Sequence, residues 1–116
     1  MRILDLDQVA SRTVTQFGSS GFRVGRVGAV QPGHVTVLSL DAGGHVGRHP
    51  AVGGQLLVVL SGTARVVGGA GEAAEIGPGQ AVWWDAGEDH ETRAADAVSA
   101  LVVEGSWLGE PGADLG

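Results

Sequence analysis

Short apolar runs separated by glycine-bearing turns organise the chain. Candidate strands fall at 12–17, 22–27, 34–40, 45–49, 55–61, 63–68, 73–76, 80–85, 90–93 and 97–104. Strands of this length with evenly spaced turn signals predict an all-β sandwich or barrel. The helical expectation is confined to one short N-terminal piece near LDLDQVA (4–10). In QLLVVLS (55–61), alternation puts Gln55, Leu57 and Val59 on one face and Leu56, Val58 and Leu60 on the other. Both faces are apolar, so this strand reads as buried on both sides, with Gln55 as the polar exception. A buried amide without partners costs about 1–3 kcal/mol, so Gln55 calls for an explanation.

The stretch GRHPAVGGQ (47–55) sets His49 before a Pro/Gly-rich turn and Gln55 after it. Pro50 ends the ladder and Gly53–Gly54 permit a tight return. Antiparallel pairing of 45–49 with 55–60 would then bring His49 and Gln55 within reach of one small ligand or ion, at a strand spacing of about 4.8 Å. A second segment, GPGQAVWWDAGEDHET (77–92), repeats the logic and starts a strand at His90 after a glycine turn. If the two hairpins face each other across a barrel, His49, Gln55 and His90 converge. Leu57, Val59, Trp83 and Trp84 are the candidate pocket walls, the two tryptophans facing opposite ways.

Composition narrows the function classes. With 116 residues the chain is read as one domain, its core about 12–104 and its tail 105–116 fraying after Leu108, with Trp107 packing against the body. The net charge is −6 and all seven basic residues are arginine, which offers no basic stripe for nucleic acid or an anionic membrane. The absence of cysteine removes disulfides, zinc–thiolate sites and thiol nucleophiles. MRILDLDQVA lacks the apolar stretch of a signal peptide, and no run approaches the roughly 20 apolar residues of a membrane span, so the expectation is a soluble cytoplasmic protein.

The two histidine-bearing segments resemble the paired motifs of the cupin superfamily. Gly43, His49, Ala51, Gln55 and Gly62 stand at the spacings of the first motif. Gly79, Asp85, Gly87, His90 and Ala94 stand at those of the second. Sixteen residues lie between the motifs, as in small bacterial cupins, and the resemblance covers roughly 34–104. It implies a jelly-roll β-barrel with an internal pocket and a homodimer. Cupin metal sites usually take two histidines and a glutamate from the first motif and one histidine from the second. Here Ala51 replaces a histidine and Gln55 the glutamate.

Two readings follow. One is a small-molecule-binding cupin whose pocket is lined by His49, Gln55 and His90. The other is a metal-dependent oxygenase, isomerase or cyclase in which these three residues hold Zn, Ni, Fe, Mn or Cu, with affinity falling as pH drops through about 6.5. The sequence leaves the substrate, and catalysis itself, open. Arg48 is expected at the surface and His34 in an exposed turn. His45 shares strand parity with His49 but lies about 13 Å away along the strand. Glu88, Asp89 and Glu91 are expected to form a solvated turn whose charge raises the pKa of His90.

Overall fold

The computed structural model describes residues 1–112. Eleven strands run in chain order: β1 (Arg2–Asp5), β2 (Arg12–Val14), β3 (Phe22–Val24), β4 (Val30–Leu40), β5 (His45–Pro50), β6 (Gly54–Ser61), β7 (Ala64–Val67), β8 (Ala73–Ile76), β9 (Gln80–Trp84), β10 (Asp89–Ala94) and β11 (Val98–Trp107). Single 3-10 turns occupy Leu6–Gln8 and Gln16–Gly18. A five-stranded sheet, β1-β9-β6-β11-β4, faces a four-stranded sheet, β5-β10-β7-β8, and every pairing is antiparallel. This is the all-β arrangement that the pattern of short strands predicts and the jelly roll that the family resemblance implies. No helix among the described residues is long and apolar enough to cross a membrane.

Strand parity builds two apolar layers. Leu57 and Val59 of β6, Val82 and Trp84 of β9, and Val98 and Ala100 of β11 meet Ala64, Val66, Ile76 and Ala94 between the sheets. The other face of the larger sheet carries Leu56, Ala81 and Trp83, joined by Leu4 and flanked by Val27, Val103 and Trp107. This two-sided burial is why β6 reads as a continuous apolar run.

Close approach dictates glycine at residue 54. A Cβ there would collide with the Trp83 ring and come within 2.7 Å of Trp107. Those indoles meet edge to face, centroids 5.3 Å apart, and Trp107 Nε1 donates to the Gly54 carbonyl. The four glycines at the motif spacings, Gly43, Gly62, Gly79 and Gly87, all have φ between 78° and 87°, where a side chain is strained.

Several boundaries differ from expectation. β1 was not foreseen and pairs with β9. The stretch 12–17 is a strand only to Val14. β4 begins at Val30 rather than residue 34, and β11 runs on to Trp107. The tail does not fray at once after Leu108. Leu108 N–H donates to Ala29, Gly112 N–H donates to Val27, Glu110 pairs with Arg2 at 3.0 Å, and Pro111 is buried. The rest of the expected frayed tail, 113–116, lies outside the described residues.

Pro50 and Gly53–Gly54 do not close a hairpin, since β5 and β6 belong to different sheets. The strand opposite β5 is β10, and His49 lies directly across from His90.

Candidate functional site

A cavity of about 310 Å³ opens between the sheets at one end. Its lining includes His34, Thr36 and Leu38 from β4, Val46 and His49 from β5, Gln55 and Leu57 from β6, His90 and Thr92 from β10, and Val102 and Glu104 from β11. His49, Gln55 and His90 therefore share one cavity, though not through the hairpin expected for the first two. Leu57 is part of the wall. Val59, two residues further along β6, lies instead in the sealed core beside Trp84 and Val82.

The tryptophans divide as their parity requires. Trp84 is fully buried between the sheets, and its ring lies 4.3 Å from that of His90. It supports the cavity from behind His90 and does not line it. Trp83 is not a pocket residue: it faces the second apolar layer with Leu4, Leu56 and Ala81, and its Nε1 donates to Asp85.

The imidazoles are held from behind. His49 Nδ1 lies 2.7 Å from the Gly47 carbonyl and His90 Nδ1 lies 3.1 Å from the Glu88 carbonyl. A carbonyl only accepts, so each Nδ1 carries a proton, and in the neutral ring Nε2 is left with a lone pair. The two ring centroids are 4.4 Å apart. His90, 3% exposed, is wedged between Trp84 and His49. Burial pushes its pKa below the usual histidine value. The Glu88 carbonyl bond pulls upward against this, and nearby His49 adds to the depression.

The expected rise from the acidic turn is thus overturned, because burial outweighs the upward pull of the Glu88 charge on His90, while the carboxylate of Glu88 is itself taken up by other donors. Its oxygens accept from the Gly69 and Asp85 N–H groups and from the Met1 ammonium at 2.9 Å. Burial alone would raise the Glu88 pKa, but these donors outweigh it and hold the carboxyl below its ordinary value. The ammonium also pays a burial cost, yet Glu88 raises its pKa overall.

A bulge in β5 sets His45 and His49 on opposite faces despite their even spacing. Between the pairs His90–His49 and Thr92–Val46, Gly47 and Arg48 stand opposite Glu91 alone. The extra residue reverses alternation. Val46 and His49 line the cavity, whereas His45 pairs with Arg93 and lies outside its lining. The same bulge supplies the carbonyl that holds His49. Arg48 is exposed and reaches the Gly69 carbonyl at 3.2 Å.

Seven lining residues escaped the sequence reading, and two of them, His34 and Glu104, are ionisable. His34, expected in an exposed turn, is a mid-strand residue of β4 and lines the cavity while remaining solvent-accessible. Glu104 lies opposite His34 on one side and Gln55 on the other. Gln55 Nε2 donates to Glu104 Oε2 at 2.6 Å, which explains the half-buried amide. As arranged, the donor set fits a metal poorly. It offers two imidazoles and a neutral amide, and no three His, Asp or Glu side chains among the described residues are grouped to hold an ion.

The cupin-domain family model matches residues 36–104. Among solved structures, a protein of unknown function from Streptococcus pyogenes is 33% identical, with TM-score 0.61, over 66% of each chain. A cupin superfamily protein from Desulfitobacterium hafniense aligns at TM-score 0.60 and 15% identity, over 68% of this chain and 72% of that one. A chain from the structures of the DMSP lyases RdDddP and RnDddQII is 28% identical at TM-score 0.58, over 68% of this chain but only 40% of its own length. No curated protein matches. Motif glycines at the turns, facing histidines on β5 and β10 and the family match over most of the jelly roll agree: the chain belongs to the cupin family.

Proposed function

We propose that this cupin binds a small organic molecule in the cavity between its sheets, with His49, Gln55 and His90 at the polar end and Leu38, Val46, Leu57 and Val102 as the apolar wall. The observation that carries this reading is the pair of adjacent imidazoles, each fixed through Nδ1 so that Nε2 is free for a ligand. A cavity of about 310 Å³ suits a small metabolite.

The runner-up is a metal-dependent enzyme using the same three residues. The free Nε2 atoms favour it, and likeness to a DMSP-lyase chain adds an enzymatic precedent within the fold. A bound metal would supply Lewis-acid chemistry, but the neutral Gln55 and the lack of a third grouped His, Asp or Glu argue for the organic ligand.

Metal content after mild purification separates the two, measured for the parent chain, His49→Ala and His90→Ala. The binding reading expects no stoichiometric metal and a thermal shift with an organic ligand that both substitutions abolish. Stoichiometric metal lost in both variants would replace it with the enzyme reading.

The chain is further proposed to pair with a second copy through β4. Among the described residues that strand is bonded only to β11, which leaves one backbone edge over eleven residues open there, and Val35 (69% exposed) and Val37 (67%) lie on its outer face. Edge-to-edge pairing of two β4 strands is self-complementary about a two-fold axis. Light scattering should give twice the chain mass, and a monomer mass for Val35→Lys/Val37→Lys; a monomeric parent chain refutes it.

A further inference from the structure

The end of the cavity formed by His49, Gln55, His90 and Glu104 presents hydrogen-bond acceptors, and the side-chain donors elsewhere in the lining are uncharged hydroxyls, Thr36 and Thr92, and the His34 ring. His49 and His90 each use the Nδ1–H on a backbone carbonyl and offer Nε2. Gln55 uses its amide N–H on Glu104 and keeps Oε1. Glu104 accepts only. Its hydrogen-bond partner is a neutral amide, and no arginine, histidine or N-terminal ammonium lies within 4.0 Å of it among the described residues. The carboxylate is half-buried, so part of its hydration is lost without a counter-charge. His34 stands opposite in the strand register but forms no ion pair with it.

From this imbalance, and resting on the ligand-pocket reading above, we infer that Glu104 is the charge anchor of the cavity and that its ligand is a small organic ammonium bearing N–H donors. A primary or secondary ammonium supplies both what the carboxylate lacks, a positive charge, and what the ring Nε2 atoms lack, a donor. A carboxylate ligand would face Glu104 directly with like charge. A quaternary ammonium would bring charge without donors. Glu104 lies on β11, outside both motif segments.

The test uses three probes of similar size: phenethylammonium, its N,N,N-trimethyl analogue and 3-phenylpropionate. Each is titrated into the full chain, with NMR signals of the His49 and His90 rings and the Trp84 indole reporting occupancy. Phenethylammonium should bind at least tenfold more tightly than either analogue, and Glu104→Gln should weaken it at least tenfold. Because Glu104→Gln also alters the Gln55 bond, Glu104→Lys serves as a second variant and should reverse the preference toward 3-phenylpropionate. Equal or tighter binding of 3-phenylpropionate to the parent chain, with both histidines shifting, would overturn the ammonium inference and leave the pocket reading intact. Zn²⁺ alone forms a further arm: saturation of the site by zinc with no phenethylammonium binding overturns the inference in favour of an inorganic cation. If no probe of any charge moves the histidine signals, both readings fall.

Discussion

Replacing His90 by Asn should flatten the acid limb of the stability curve. In the folded chain His90 is 3% exposed, lies against Trp84 and His49, and resists protonation because burial disfavours the imidazolium. In the unfolded chain it takes a proton near pH 6.5. Between that value and its lower folded pKa the unfolded state binds more protons, so stability rises with pH. The contribution is fully present above about pH 6.5 and is lost as pH falls through the window below it. One proton sets a ceiling of about 1.4 kcal/mol per pH unit. At about 2.1 cal/mol/K per residue, 116 residues give an unfolding entropy of about 0.24 kcal/mol/K, so 1 kcal/mol moves Tm by about 4 °C. The parent chain should therefore lose up to about 6 °C per pH unit on this account below pH 6.5. His90→Asn shifts the whole curve through lost packing, but its slope should be shallower. Calorimetry from pH 5 to 8 on both proteins reads the difference. Equal slopes, or a parent chain that gains stability on acidification through this window, would refute the reasoning.

Gly54→Ala should destabilise the fold by about 1–3 kcal/mol, a Tm loss of about 4–12 °C, because the new methyl meets the rings of Trp83 and Trp107. Unchanged Tm would mean that the indole pair yields freely. Trp84→Ala removes a fully buried ring and the support behind His90, costing about 3–5 kcal/mol in urea unfolding. A cost below 1 kcal/mol would show that the core collapses into the space. Glu88→Gln should cost about 1–3 kcal/mol at neutral pH, since the amide cannot meet all three donors equally. The depressed Glu88 pKa makes this contribution present above about pH 4.3 and lost as pH falls through the folded value, so the two proteins should converge in acid. A gap that widens on acidification would contradict the assignment.

Strand alternation made much of this architecture readable. The run from Gln55 to Leu60 announces a strand buried on both faces, and the structure places Leu56 and Leu57 at 3% and 2% exposure on opposite sides. The motif glycines are readable because turns with positive φ favour that residue. Pairing was harder. PAVGG carries the chemistry of a hairpin turn, but both faces of β6 need cover, and the chain crosses to the other sheet after β5. His34 was hidden by the Pro32–Gly33 dipeptide before it, which reads as a turn yet lies within β4. Glu104 was open to discovery: applying to β11 the parity used on β6 sets it on the face of Val98, Ala100 and Val102. The relevant signal was a charged residue completing an apolar stripe.

The doubled position in β5 has a consequence for the lineage of this pocket. Since Gly47 and Arg48 together face only Glu91, the strand holds one residue more than its partner requires. Loss of either would restore plain alternation and still leave His49 across from His90 and His45 outside, because one step would vanish from each count at once. Strand length and pocket content are thus uncoupled at this spot. A relative one residue shorter here could keep the same two imidazoles face to face while failing a comparison based on motif spacing, and the carbonyl now bracing His49 would be the part that has to be replaced.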